Sequence, residues 1–321
     1  MYNKEIKSKF IADYTTSLSR RQAIKIMFDD TEQYETEWNK DICQASKDEV
    51  LPVLKKLVGF RTGSKGLRMS AMRGYIKWCV ENGIPGTRTD ILDIKDLGDE
   101  KMLNQTVANP QHLQRYLDCI FDKESEETID CIYRAYYWVA YSGITEEEAM
   151  RVEASEVDFE NSIIKHNGVD YPIYREAIQS LKKCVKLREV VYRKYSGDNK
   201  KVRMRRRTPG DILLRGISKE PPKIETMRMV VSRRARERKH MCREDFDNPR
   251  VNLKLSFYRV WLSGIFYRMC EAERAGIPVD FKIIVCQYYN IASYTNISRR
   301  VNDSAREFTV DYERWKSVNA V

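Results

Sequence analysis

Hydrophobic positions recur along most of the chain with the period of an α-helix, and alternate with period two only in short stretches. Residues 1 to 97 read as helical throughout. In Ser19-Arg-Arg-Gln-Ala-Ile-Lys-Ile-Met-Phe, the residues Ala23, Ile24, Met27 and Phe28 form one stripe, and Ser17 or Ser19 is placed to cap it. Asp48-Glu-Val-Leu-Pro-Val-Leu-Lys-Lys-Leu starts another helix, with Pro52 in the first turn, where no N–H is needed. The clearest pattern runs from Ser64 to Gly83. Leu67, Ala71, Tyr75 and Cys79 line one face, and the glycine ends it. The other side carries Ser70, Arg73 and Lys77 one turn apart. That face is either simply solvated or placed to meet phosphates.

From Gly98 to Gln111 the chain turns polar and irregular, which suits a linker between a helical domain (1–97) and a second domain (112–321). The second domain opens with helices over Leu113-Gln-Arg-Tyr-Leu-Asp-Cys-Ile-Phe and Thr128 to Tyr141, the latter ending at Ser142-Gly143. Phe159 to Ile173 predicts a β-hairpin around Asn167-Gly168, the strongest short turn signal in the chain. Arg175 to Arg193 predicts a helix, Asp211-Ile-Leu-Leu a short strand, and Ser232 to His240 a further helix on which Arg233, Arg236 and His240 share a side. The fold class expected is mainly α with a small β-sheet or hairpin (α+β), in two domains.

Composition places the chain among globular proteins: 42% hydrophobic and 32% charged residues over 321 positions. No apolar run approaches a membrane span and the first residues lack a secretory core, so a cytoplasmic protein is expected. The eight cysteines are scattered without zinc-ligand spacing. We expect buried, reduced thiols, no metal and no cofactor. The net charge of +10 is concentrated: Lys200 to Arg243 holds sixteen Lys or Arg against four acids. A localised positive field favours a polyanion, most commonly nucleic acid; the alternative is a solvated basic loop.

Tyr141-Ser-Gly-Ile-Thr-Glu-Glu-Glu-Ala-Met-Arg-Val-Glu-Ala-Ser-Glu-Val-Asp resembles the first catalytic motif of the tyrosine recombinases, the phage integrase family, which reads roughly Tyr-Thr-Gly-Leu-Arg-x-Ser-Glu-x-x-x-Leu-x-x-x-Asp-Ile-Asp. The resemblance implies a helical, SAM-like core-binding domain followed by an integrase catalytic-like domain. It aligns Thr145 with the family's phosphate-clamping arginine and Glu148 with its structural glutamate. Lys165 lies close to the position of the family's hairpin lysine. The run Ser256-Phe-Tyr-Arg-Val-Trp-Leu-Ser-Gly is similar to the His-x-x-Arg motif, keeping Arg259 and replacing the histidine with Ser256. The family's third histidine position falls near Tyr288. The nucleophile position falls best on Tyr312, with Tyr294 second; at helical spacing with Phe308 and Trp315, Tyr312 also reads as a packing residue.

Recombinase chemistry needs preorganised cations and an imidazole around the pentavalent phosphate. Threonine and serine supply neither. Losing one such group costs about a hundred- to a thousandfold in rate. The resemblance therefore implies a DNA-binding protein without strand cleavage, similar to prophage repressors that use the integrase fold to hold lysogeny through operator DNA. Its expected partner is double-stranded DNA, met in the cytoplasm of a bacterial host, with no membrane; any protein or peptide antagonist is left open. The expected DNA-contacting residues form a two-domain clamp: Arg68, Arg73 and Lys77 from the first domain, and Lys165, Arg203, Arg205, Arg206, Arg207, Arg233, Arg236 and Arg259 from the second. The alternatives are an active integrase with Tyr312 as nucleophile, and an architectural protein that bends DNA without choosing sequence.

Overall fold

The computed structural model describes residues 1–57, 62–94, 97, 102, 105–121, 128–196, 199–207, 210–216, 223–239, 256–288 and 299–319. It is mainly helical with small antiparallel sheets, and divides into two compact units. One comprises Met1–Met102 with Asp303–Arg314; the other comprises Leu103–Asn302 with Trp315–Val321.

The first unit is built on α1 (Lys4–Tyr14), α2 (Leu18–Trp38), α3 (Lys47–Leu57) and α4 (Thr62–Glu81). The stripe Ile24, Met27 and Phe28 is buried, as its spacing requires, while Ser17 takes the cap position without its hydroxyl bonding the helix. Ser46 and Glu49 form the capping box of α3: the Glu49 carboxylate accepts from Ser46 N at 2.8 Å, and Ser46 Oγ accepts from Glu49 N at 3.3 Å. The helix thus starts at Lys47, and Pro52 falls inside it rather than in its first turn. Gly83, at φ 65°, ends α4 as its position suggested. The core centres on Phe10, Phe28 and Tyr75, with ring centroids 4.9–6.0 Å apart.

Beneath these rings lies a buried polar network. Lys7 is wholly buried and ion-paired with Glu35. The Glu35 carboxylate also accepts from Thr31 Oγ1 at 3.0 Å and Ile42 N at 2.8 Å. Asp41, 3.9 Å from Lys7 Nζ, accepts from the Tyr75 hydroxyl at 3.1 Å and Cys43 N at 3.0 Å. Burial pushes the Glu35 carboxyl above its ordinary value, against the opposing pull of Lys7.

The second unit centres on α6 (Asp130–Tyr141), which is buried on nearly every side, as an all-round apolar helix must be. Before it comes α5 (Pro110–Ile120), capped by Asn109, whose side chain accepts from His112 N at 2.8 Å; Pro110 sits at the first helical position. After α6 come the single turn α7 (Glu146–Ala149), then β1 (Val157–Asp158), β2 (Ile163–His166) and β3 (Val169–Pro172), paired antiparallel in that order. Asn167 and Gly168, at φ 50° and 74°, make the tight turn expected from their sequence.

The chain departs from expectation after α8 (Arg175–Lys186). The helix does not run on to Arg193; β4 (Glu189–Ser196) pairs antiparallel with β5 (Asn199–Arg206) through eight residue pairs, from Glu189↔Arg206 to Ser196↔Asn199. Val190-Val-Tyr and a two-residue Gly-Asp connection favour strand over helix here. Ile212 makes only an isolated bridge to Glu153. The remaining helices are α9 (Ile224–Lys239), α10 (Phe257–Arg274), α11 (Phe281–Tyr288) and α12 (Arg299–Asn319), the last shared between the two units. No helix among the described residues is long and apolar enough to cross a membrane.

α10 crosses α6 at backbone contact. A Cβ on Gly264 would lie 1.9 Å from the Tyr141 carbonyl oxygen. Beside the crossing, Trp261 Nε1 donates to the Gly143 carbonyl at 2.9 Å, and Gly143 takes φ 100°, a region that side chains resist. Gly264→Ala is expected to lower stability by about 1–3 kcal/mol, because neither backbone can yield, and Gly143→Glu to lower it as well. Unchanged thermal melts would contradict both. Lys7→Ala is expected to cost about 3–5 kcal/mol by stranding a buried carboxylate. A carboxyl whose pKa is higher folded than unfolded favours the fold below its unfolded value and loses that advantage as pH rises through the folded one. The Lys7→Ala deficit should therefore shrink as pH is lowered towards the ordinary carboxyl value of 4.5; a pH-independent deficit in melting temperature contradicts this.

Candidate nucleic-acid interface

Helix caps and an ion pair position the segments around Thr145 and Ser256. Thr145 occupies the N-cap of α7, with φ −67° and ψ 160°, and its carbonyl accepts from Ala149 N at 2.8 Å. Ser256 occupies the N-cap of α10, its hydroxyl accepting from Arg259 N. Ser256 does a job that a short hydroxyl side chain does well and that histidine does poorly, whereas Thr145 takes the cap position without its hydroxyl bonding the helix. The two caps are linked through Tyr136: its hydroxyl donates to Glu146, the residue after Thr145, and its ring lies 4.6 Å from that of Phe257, the residue after Ser256. Glu146 also holds Arg228 of α9, whose Nε donates at 2.9 Å; this hydrogen bond raises the Arg228 pKa. That cation pairs with the residue that follows Thr145 and keeps an exposed side chain.

Glu148 faces the hairpin. His166 is buried on β2 with Nε2 3.1 Å from Glu148 and Nδ1 2.9 Å from Glu156. Asn167 Nδ2 donates to the same Glu148 oxygen at 2.7 Å. Burial opposes ionisation of Glu148, but the bonds from His166 and Asn167 outweigh it and hold the carboxyl below its ordinary range. Glu148 is thus a structural latch that docks the hairpin against α7. On the opposite face of β2, Lys165 is exposed and paired with Asp158 at 3.2 Å.

The cations singled out in sequence fall into distinct settings. In the first unit, Arg68 pairs with Asp30 at 3.2 Å and Arg73 donates to the Ile94 carbonyl, while Lys77 is exposed. Arg203, Arg205 and Arg206 are exposed on β5, but Arg207 turns inward. Its guanidinium donates to the carbonyls of Arg215 at 2.9 Å, Cys184 at 2.6 Å and Leu213. Arg233 is exposed on α9; Arg236 lies on the same helix, with its side chain outside the described residues. Arg259 is half-buried on α10, and desolvation lowers its pKa in spite of Tyr116 nearby. Tyr312, on α12, is completely buried. Tyr288 ends α11 with its side chain outside the described residues, where Tyr294 and His240 also lie.

A basin of about 890 Å³ opens beside the base of β4 and β5 in the second unit. Lys182, Lys183, Lys186, Arg188 and Arg206 line it, against the acids Asp130 and Glu189. Sequence reasoning missed these α8 cations because they lie outside the densest basic run. The spacing of Lys182, Lys183 and Lys186 on one helix side was the available signal. Among the described residues no His, Cys, Asp or Glu group could hold a metal, and the cysteines are free.

A family model described as "MrpR, N-terminal core-binding domain" matches residues 1–81. Among solved structures, one titled "Crystal structure of XerA recombinase" is similar at 15% identity with a TM-score of 0.40, covering 98% of this chain and 97% of that one. No curated protein matches the chain.

Arg207→Ala is expected to unfold the chain at distinctly lower temperature, since the Cys184, Leu213 and Arg215 carbonyls each lose a donor, at about 1–3 kcal/mol for a buried group left unsatisfied. Arg205→Ala, at an exposed position, should stay within about 0.5 kcal/mol of the parent. Equal melting temperatures for the two variants would contradict the assignment of Arg207 to the interior.

Proposed function

We propose that this protein is a sequence-specific DNA-binding repressor built on a recombinase-like scaffold, one that grips a duplex without cutting it. The observation that carries this reading is the state of three positions at once. Where a cleaving enzyme needs a cation, an imidazole and an accessible phenol, this chain has an uncharged Thr145 at the N-cap position of α7, Ser256 capping α10, and Tyr312 completely buried. The match of residues 1–81 to a core-binding domain supports contact with DNA through the first unit. The concentration of sixteen Lys or Arg between Lys200 and Arg243 supports it through the second. In these features the chain resembles the master lysogeny repressors of SPβ-like prophages.

Affinity of this kind rests on phosphates neutralised, and so survives the loss of catalytic groups. Exposed Lys77, Lys165, Arg206 and Arg233 are assigned to the duplex backbone, and half-buried Arg259 joins them from α10. Phosphate contacts of this kind set position, and a smaller number of base contacts sets sequence.

Chromatin immunoprecipitation with sequencing in the native host tests the reading. A handful of sharp peaks at prophage promoters, unchanged by Tyr312→Phe, is the expected result. A single peak at an attachment site would favour an integrase, and a featureless profile would favour an architectural protein.

A further inference from the structure

The described stretch of β5 is exposed where sheets are usually covered, although Val190 of β4 is buried. Every residue from Val202 to Arg206 is exposed, although neighbours along a strand point to opposite faces. Val202 and Met204 remain 54% and 65% accessible, so neither face of β5 packs on the body of the unit. Seven of the sixteen ribbon residues are Lys or Arg and one is acidic. Two strands standing alone are marginal in water. This ribbon is therefore braced at its root. Thr128 Oγ1 donates to the Glu189 carbonyl at 3.0 Å and accepts from Val191 N at 2.9 Å, and Ile129 N donates to the Val191 carbonyl at 3.3 Å. On the other strand, Arg207 N donates to the Arg188 carbonyl at 2.8 Å while its guanidinium is locked inside. The root is fixed, and β5 from Val202 to Arg206 is bare.

Resting on the DNA-binding reading above, we propose that this ribbon enters the major groove of duplex DNA and that Arg203 and Arg205 read base edges there. The fit is geometric. A major groove about 12 Å wide admits a two-stranded ribbon. Arg203 and Arg205, two residues apart on one strand, share a face and are spaced by about 6.6 Å. Two base-pair steps span about 6.8 Å, so the two guanidinium groups address alternate bases without distorting the strand. Arginine is the side chain suited to the paired acceptors of guanine. Val202, Met204 and Arg206 lie on the opposite face, away from the base edges. At the root, the basin cations Lys182, Lys183, Lys186 and Arg188 are placed to hold the phosphates that border the groove.

The test begins with duplexes enriched from a randomised pool by the full-length protein, compared with a scrambled duplex of equal length. Arg203→Ala and Arg205→Ala should each cut affinity for the enriched duplex by about five- to a hundredfold, with a much smaller loss on the scrambled one. Lys186→Ala should weaken both duplexes alike and reduce the salt slope by about one. Equal losses on both duplexes for Arg203→Ala and Arg205→Ala would reduce the ribbon to a phosphate contact. Unchanged affinity would take it off the DNA. Either result overturns the proposal while leaving DNA binding intact. If the parent protein enriches no sequence at all, the functional reading fails together with it.

Discussion

The second unit depends on one close approach, the crossing of α10 over α6 at Gly264, where the helix backbone rests on the Tyr141 carbonyl. No residue with a Cβ fits there. The crossing brings Trp261 onto the Gly143 carbonyl and Phe257 onto Tyr136, and so sets the start of α10 against the segment that leads into α7. Ser256 and Thr145 owe their neighbourhood to it. A helix pair held by backbone contact leaves little room to slide, which makes the site around these two caps a rigid feature.

On that rigid base, cations of the same chemical type are divided between two tasks. Arg207 spends its donors on buried carbonyls and fixes the root of a ribbon. Arg203, Arg205 and Arg206, its near neighbours, are left to solvent. In the first unit, Lys7 is sealed in the core with Glu35, while Lys77 stays outside. Buried ion pairs add little net stability over apolar packing, but they penalise any arrangement that separates the partners. Lys7, Glu35 and Asp41 act on the helical unit in that way.

How much of this could be read beforehand follows from the range of the interactions involved. The stripe on α2, the end of α4 at Gly83 and the Asn167-Gly168 turn are written in residues a few positions apart, and local patterns revealed them. The β4–β5 ribbon was hidden because Lys186-Leu-Arg-Glu continues the helical charge pattern of α8, while the strand signal in Val190-Val-Tyr is short. Arg207 could not be told from Arg206 at all: its partners are main-chain carbonyls of residues 184, 213 and 215, which carry no sequence label. His166 was recoverable, since period-two alternation puts it on the buried face with Ile164. The cap positions of Thr145 and Ser256 followed once their helices were in place. Sequence alignment alone marks them only as substitutions.

The central claim is that this scaffold holds DNA and has given up breaking it. Incubation of the purified protein with a suicide substrate carrying its own binding sequence tests that most directly. A stable noncovalent complex and no covalent protein–DNA adduct is the result predicted; an adduct that disappears in Tyr312→Phe would contradict it.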